Sequence, residues 1–139
     1  MSSAPEEGIR RTLMQYGQLC DDGRFGEWAE LFTADARFHA MGSTQSGRES
    51  AQKWIEAAQG PEARGRHAVF APVVNLGSDA RTAWAWTDYL FFDKAGTLMS
   101  TGRYHDELVL GDDGRWRFSL REIVFQGNEP ELTAQPPGG

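Results

Sequence analysis

The fold is decided by the second half of the chain, which runs from Arg66 to Phe125 as RHAVFAPVVNLGSDARTAWAWTDYLFFDKAGTLMSTGRYHDELVLGDDGRWRFSLREIVF. Four segments of this stretch are rich in β-branched and aromatic residues, which favour strands. The predicted strands are residues 66–76, 80–92, 98–110 and 115–125. They are separated by the turn sequences Gly77-Ser78, Lys94-Ala95-Gly96 and Asp112-Asp113-Gly114. Because such short connections join antiparallel neighbours, the stretch is predicted to be a four-stranded meander.

The first half of the chain is predicted to be mainly helical. A first helix is expected over Pro5–Asp21, because apolar residues recur there at steps of three and four. A shorter amphipathic piece follows around Trp28, and a third helix is expected over Gly47–Gln59. A brief extended segment, Ala36–Ala40, lies between these two helices. The expected class is α+β, with three N-terminal helices packed on a four-stranded antiparallel meander plus a short first strand.

Composition and charge narrow the functional classes. The chain has 139 residues, of which 40% are hydrophobic, and this suits one globular domain. A single domain is expected over residues 1–127, followed by a flexible tail over residues 128–139, where proline and glycine are frequent. A net charge of -6 argues against nucleic-acid binding, and no apolar run is long enough for a membrane span. The single Cys20 has no internal partner for a disulfide, so a cytoplasmic location is expected.

The first predicted hairpin brings a histidine and an aspartate together. If Gly77-Ser78 forms a two-residue turn, His67 lies opposite Asp88 in the ladder. Opposed residues on one face lie roughly 5 Å apart at Cβ, which is close enough for an imidazole to share a proton with a carboxylate. Such a partner fixes the ring tautomer and suits proton transfer near neutral pH. The residues alone therefore indicate an acid–base pair, with solvated surface positions for both residues as the alternative, and a three-residue turn would break the opposition.

Four motifs in the right order resemble one family, the SnoaL-like branch of the nuclear transport factor 2-like superfamily. They are Trp28-Ala29-Glu30-Leu31-Phe32-Thr33-Ala34-Asp35-Ala36, Gly47-Arg48-Glu49-Ser50, Gly102-Arg103-Tyr104-His105-Asp106 and Gly114-Arg115-Trp116-Arg117-Phe118. The resemblance covers about residues 8–126 and implies a curved, cone-shaped sheet under the helices. The superfamily includes scytalone dehydratase, bile-acid 7α-dehydratase, ketosteroid isomerase and polyketide cyclases, and also proteins that catalyse nothing. The fold therefore does not by itself set the function.

The resemblance also implies positions for catalytic residues. Dehydratases of the superfamily carry a catalytic histidine at the place of His67, and in the bile-acid dehydratase an acidic residue lies about where Asp88 falls. They also have a tyrosine and an aspartate with the spacing of Tyr16 and Asp21 that point into the pocket. By that resemblance Tyr16 would hydrogen-bond a substrate oxygen, and Asp21 would position substrate or water. Asp22 is the immediate competitor for the acidic role.

Further pocket candidates lie on the predicted strands. On the third strand Tyr104 and Asp106 alternate with Arg103 and His105, and the first two are expected to face inward. The resemblance to scytalone dehydratase favours Arg103 and His105 instead, so both choices stay open. The remaining substrate-binding candidates are Arg121, which would neutralise an anionic group or lie at the surface, and the aromatic Trp84 and Trp86.

Together these residues predict a lyase or isomerase that needs no cofactor. His67, tuned by Asp88, would remove a proton beside a carbonyl that Tyr16 polarises, and loss of a β-hydroxyl as water would complete a dehydration. The expected ligand is a small, cyclic, largely apolar hydroxy-carbonyl compound, such as a polyketide or steroid-like intermediate. No metal is expected, because no cluster at metal spacing occurs. The alternatives are a non-catalytic binding protein of the same fold and a structural subunit resembling the β chain of ring-hydroxylating dioxygenases. A homodimer or homotrimer is expected, because the second strand is apolar on both sides.

Overall fold

The computed structural model describes residues 3–133. Its helices are α1 (Ala4–Asp21), α2 (Phe25–Ala29) and α3 (Arg48–Ala58). The side chain of Ser3 caps α1 by accepting a hydrogen bond from the backbone N–H of Glu6 at 3.3 Å. Pro5 follows in the first turn, where its missing N–H is not needed. The helices predicted over Pro5–Asp21 and Gly47–Gln59 are confirmed to within one residue at each end.

Seven strands form one sheet. They are β1 (Phe32–Ala40), β2 (Ser43–Ser46), β3 (Arg66–Val69), β4 (Val73–Leu76), β5 (Thr82–Phe92), β6 (Leu98–Leu110) and β7 (Trp116–Phe125). The spatial order is β2-β1-β7-β6-β5-β3, and β4 also pairs with β5. All neighbours are antiparallel except β1 and β7, which run parallel. The α+β class is confirmed, but the strand count is corrected: β1 is nine residues long, β2 has no counterpart in the prediction, and the predicted first long strand is divided in two.

The connection between β4 and β5 is longer than the sequence predicts. Leu76 lies opposite Ala83, and the five residues 77–81 connect the two strands. The two-residue turn predicted at Gly77-Ser78 is therefore wrong. The histidine–aspartate opposition that depended on this turn is wrong as well.

An irregular stretch, Phe70–Pro72, separates β3 from β4 and changes the register. If the register of β4 on β5 continued into β3 without a break, His67 would lie opposite Phe92. The observed partner of His67 is Phe91, one residue earlier. Because side chains alternate between the two faces of a sheet, a shift of one residue moves His67 to the other face. The irregular stretch is thus the reason that His67 points toward the helices.

The two faces of the sheet are covered differently. The inner face packs against the helices: the ring of Tyr16 on α1 lies 5.4 Å from that of Tyr104, and Trp54 on α3 packs against β1. Tyr104 and Asp106 of β6 are buried on this inner face, opposite Thr87 and Ala85 of β5. The outer face carries the alternate residues of each strand, including Arg103 and His105. Tyr104 and Asp106 therefore face the helices, and Arg103 and His105 do not.

The outer face is partly covered by residues 131–133, here called the C-terminal strap. Glu122 of β7 is 1% exposed, and its carboxylate accepts hydrogen bonds from three consecutive backbone N–H groups of the strap and from the hydroxyl of Thr133, at 2.6 to 3.2 Å. Consecutive N–H groups arranged in this way bind anions. The strap belongs to the segment expected to be a flexible tail, and it is bonded to the sheet. Residues 134–139 of that segment lie outside the described residues.

Replacing Glu122 by glutamine is expected to weaken the strap and to destabilise the protein by about 2 kcal/mol near pH 7, because hydrogen bonds to a charged acceptor are lost. Burial raises the pKa of Glu122, but the hydrogen bonds from the strap outweigh burial and leave the pKa below its usual 4.5. The carboxylate therefore stabilises the fold fully above pH 4.5, and this contribution is lost as the pH falls through the lowered pKa. Thermal unfolding should show a gap between wild type and Glu122→Gln near pH 7 that closes under acid conditions. Glu107→Gln, on the outer face of β6, is the control, and a gap independent of pH would contradict this account.

The outer face also leaves apolar side chains open to solvent. Val73 is 58% exposed and Trp84 is 42% exposed. The homodimer or homotrimer expected from the sequence stays a prediction, as does the cytoplasmic location. Among residues 3–133, no helix combines the length and the apolar character needed to cross a membrane.

Candidate active site

His67 and Asp21 form a buried hydrogen-bonded pair beneath the inner face. Asp21 is the last residue of α1, and His67 is the second residue of β3. Nδ1 of His67 lies 2.6 Å from Oδ1 of Asp21, and the backbone N–H of His67 donates to Oδ2 at 2.9 Å. The two side chains are only 9% and 3% exposed. Asp22 is exposed at the end of the helix, so Asp21 is the acid that contacts the histidine.

Two neighbours that the sequence analysis missed shape the surroundings of His67. A Cβ atom on Gly17 would lie 2.9 Å from Cβ of His67, so only glycine allows the strand to approach α1 this closely. The ring of Phe91 packs against the imidazole with 4.6 Å between centroids. Gly17 lies four residues before Asp21, on the same side of the helix, and this spacing is a signal that could have found it. Phe91 could be found only once the register of β3 was known.

Asp88 lies on the outer face, away from this pair. Its Oδ1 accepts a hydrogen bond from Nε of Arg103 at 2.6 Å, and both side chains are exposed. Trp86 is on the same face, where Cζ of Arg103 lies 5.5 Å from its ring centre, and so is Trp84. The predicted pairing of His67 with Asp88 is therefore wrong, because the connection and the irregular stretch both change the register. Neither tryptophan lies on the face that carries the histidine.

Tyr16 lies between the histidine and the middle of the sheet. Its ring meets that of His67 edge-on, with 6.2 Å between centroids, and meets that of Tyr104 at 5.4 Å. Complete burial raises the pKa of the Tyr16 hydroxyl far above its usual value, and the positive charge of Arg121 reverses only part of this rise. Tyr16 therefore keeps its proton at neutral pH and can donate a hydrogen bond, but it cannot serve as a base.

A buried ion pair adjoins Tyr16. Nε and Nη2 of Arg121 donate to the two carboxylate oxygens of Asp106 at 2.8 and 2.7 Å, and both side chains are fully buried. Cζ of Arg121 lies 3.8 Å from the ring centre of Tyr104, 4.2 Å from that of Tyr16 and 4.3 Å from that of Phe118. Burial raises the pKa of Asp106, and the adjoining guanidinium acts against that rise. The sequence analysis named Arg121 and Asp106 separately and did not pair them.

Neither a cysteine nucleophile nor a metal site is supported by the described part of the chain. Cys20 is fully buried, and burial raises the pKa of its thiol to about 12, so it provides no thiolate nucleophile at neutral pH. Within residues 3–133, no group of three or more His, Cys, Asp and Glu side chains could hold a metal ion.

The family model of the SnoaL-like domain matches residues 2–122. This chain belongs to the SnoaL-like domain family. All the inner-face residues described above, from Tyr16 to Arg121, fall within the matched region of this SnoaL-like protein. Among the curated proteins, none matches its sequence.

Solved structures share the fold of this SnoaL-like protein. Rv3472 of Mycobacterium tuberculosis, a protein of unknown function, is 23% identical, with a TM-score of 0.78 over 86% of this chain and 74% of its own. ActVI-ORFA from Streptomyces coelicolor is 20% identical, with a TM-score of 0.77 over 86% of this chain and 96% of its own. A candidate scytalone dehydratase from Novosphingobium aromaticivorans is 24% identical, with a TM-score of 0.75 over 96% of this chain and 92% of its own. At these identities the likeness establishes the fold alone.

The buried pair gives this SnoaL-like protein one oriented basic nitrogen. A carboxylate accepts hydrogen bonds, so Nδ1 of His67 carries the proton that it shares with Asp21, and Nε2 is left as the basic nitrogen. The carboxylate also stabilises the imidazolium that forms when Nε2 takes up a proton. The arrangement can therefore remove a proton from a bound molecule and return it.

Proposed function

We propose that this protein is a cofactor-independent lyase or isomerase of the dehydratase kind. The observation that carries the proposal is the buried pair, with 2.6 Å between Nδ1 of His67 and Oδ1 of Asp21. The substrate class that we propose is a cyclic, largely apolar compound with a hydroxyl group β to a carbonyl. One similar structure is named as a candidate scytalone dehydratase, and this name supports the proposal of a dehydratase.

The reaction begins at the carbon next to the carbonyl. Nε2 of His67 takes a proton from this carbon, the C–H electron pair moves into an enolate, and Asp21 stabilises the imidazolium. His67 then gives the proton to the β-hydroxyl, which leaves as water while the carbonyl re-forms beside a new carbon–carbon double bond. If the substrate instead has a C=C bond β,γ to its carbonyl, the enolate is conjugated with that bond, and return of the proton to the γ-carbon completes an isomerisation.

Aromatic rings around the histidine support the proposed substrate class. The rings of Phe91 and Tyr16 flank the imidazole, with centroids at 4.6 and 6.2 Å. Flat apolar rings pack well against such side chains. Because burial keeps Tyr16 protonated, its hydroxyl is able to donate to a substrate oxygen.

Proton exchange in 2-tetralone tests the proposal, because this cyclic ketone has exchangeable C–H protons beside its carbonyl. We expect the protein to accelerate exchange with D₂O above the buffer rate, measured by ¹H NMR. Asp21→Asn should slow the catalysed exchange on the order of 100-fold, because the ring loses its carboxylate partner. Asp22→Asn makes the same change at the exposed neighbour and should leave the rate unchanged.

Two results would overturn the proposal. The first is exchange no faster than in buffer, which would favour a small-molecule-binding protein that catalyses nothing. The second is an equal loss of exchange in Asp21→Asn and Asp22→Asn, which would show that the effect does not come from the buried pair.

A further inference from the structure

Three buried polar groups beneath the inner face have no hydrogen-bond partner within residues 3–133. They are Nε1 of Trp28, Oγ1 of Thr87 and Nη1 of Arg121. Each can donate a hydrogen bond, and none of the three residues is more than 1% exposed. A buried donor without a partner destabilises a folded protein, so native structures retain few of them. Three such donors in one region indicate a place for an acceptor that binds from outside the chain.

The three donors lie around the same two tyrosine rings. Cζ of Arg121 lies 3.8 Å from the ring centre of Tyr104 and 4.2 Å from that of Tyr16. Thr87 is directly opposite Tyr104 in the β5–β6 ladder, and the ring of Trp28 lies 5.5 Å from that of Tyr16. Since Tyr16 also contacts His67, one ring connects the donors to the proposed base.

Arg121 is held in one orientation. Asp106 binds two of its nitrogens, and three aromatic rings surround the guanidinium. The free Nη1 is therefore a positively charged donor with a fixed direction, shielded from bulk solvent. Donors of this kind stabilise negative charge on an oxygen as the charge develops, because they need no reorientation during the reaction.

We propose that Arg121 and Thr87 bind the carbonyl oxygen of the substrate and stabilise its enolate. This inference rests on the proposed function, because it assigns the oxygen of the same reaction. When His67 takes the proton, the C–H electron pair becomes the new C=C bond, and the carbonyl π electrons move to the oxygen. The oxyanion then accepts hydrogen bonds from Nη1 of Arg121 and Oγ1 of Thr87. The site therefore favours compounds whose oxygen carries negative charge or gains it during the reaction.

Binding of 2-naphthol tests this inference, because the compound has the carbon skeleton of the 2-tetralone enol and can bind as its anion. Thr87→Val removes the unpartnered hydroxyl and keeps the shape of the side chain. We expect it to raise the melting temperature and to weaken 2-naphthol binding about tenfold, the loss of roughly one hydrogen bond. Fluorescence titration measures the affinity, and the absorbance of bound 2-naphthol reports its anionic fraction, which should fall as well.

Two variants control for a merely structural effect. Thr87→Ser keeps the hydroxyl and should bind 2-naphthol as wild type does. The hydroxyl of Thr101 already donates to the carbonyl of Tyr89 at 3.3 Å, so Thr101→Val should lower the melting temperature without changing the affinity. A gain in stability together with a loss of affinity is expected only at Thr87.

The outcomes separate this inference from the proposed function. The inference fails if Thr87→Val binds 2-naphthol with the affinity and spectrum of wild type. It also fails if wild type does not bind 2-naphthol. In either case the unpartnered donors are hydrogen-bonded to water only. The proposed function would still hold in that case if wild type catalyses exchange in 2-tetralone and Asp21→Asn does not. If binding depends on Thr87 but no exchange is catalysed, the oxygen site stands and the proposed function fails.

Discussion

His67→Gln is expected to reduce the catalysed exchange of 2-tetralone on the order of 10⁴-fold, the upper range for loss of a general base. Glutamine has no nitrogen that takes up a proton near neutral pH. Its side-chain amide can still donate to Oδ1 of Asp21, so the buried carboxylate keeps a partner and the fold should persist. The measurement is the exchange rate by ¹H NMR, with the melting temperature recorded on the same samples.

The matched control for this variant is His105→Gln. His105 lies on the outer face, where its ring packs against that of Trp86 with 4.0 Å between centroids. His105 is also buried, and its burial lowers its pKa below the usual value. It has no place in the proposed reaction and therefore serves as the control. A similar loss of exchange in both variants, or more than a tenth of the wild-type rate in His67→Gln, would exclude His67 as the base.

Asp106→Leu is expected to destabilise the protein by about 3–5 kcal/mol, because it leaves the buried guanidinium of Arg121 without its counter-charge. The double variant Asp106→Leu with Arg121→Met should recover most of this loss, since apolar side chains of similar volume can replace a buried ion pair. Urea unfolding measures both changes. The double variant should bind 2-naphthol only weakly and without its anionic band, because Nη1 is gone.

An exposed pair of the same kind provides the control. Arg103 donates to Asp88 at 2.6 Å on the outer face, a shorter distance than in the buried pair. Exposed ion pairs contribute little, so Asp88→Leu should change the free energy of unfolding by less than about 1 kcal/mol. Equal losses in Asp88→Leu and Asp106→Leu would show that burial does not set the contribution of these pairs.

The two long helices and the order of the meander strands could be predicted, because their signals are local. The apolar steps along Pro5–Asp21 mark the first long helix, and Gly60-Pro61 marks the end of the other. The strand β2 could not be predicted, because its four residues, Ser43–Ser46, are polar and are held only by pairing with β1. Its strand character comes from a neighbour in space, which local propensity does not report.

The individual residues of the candidate site could be predicted from the sequence, but their partners could not. His67, Asp21 and Tyr16 were all named, the last two through the resemblance alone. The partner of the histidine depended on register, which the long connection after β4 and the break at Phe70–Pro72 both altered. The ion pair of Arg121 and Asp106 was hidden for the same reason, since a bulge in the β6–β7 ladder shifts the register just before these two residues meet.

The break at Phe70–Pro72 has a consequence for how such proteins diverge. Loss or gain of one residue there would turn the strand that carries His67 over, so that its imidazole would face solvent and Asp21 would lose its partner. The other side chains of β3 would change faces as well, so Val69 would turn outward and Ala68 would turn inward. Among related chains, a difference in the length of this segment is therefore expected to remove the buried pair as effectively as replacement of the histidine. A comparison that scores identities alone would overlook that difference.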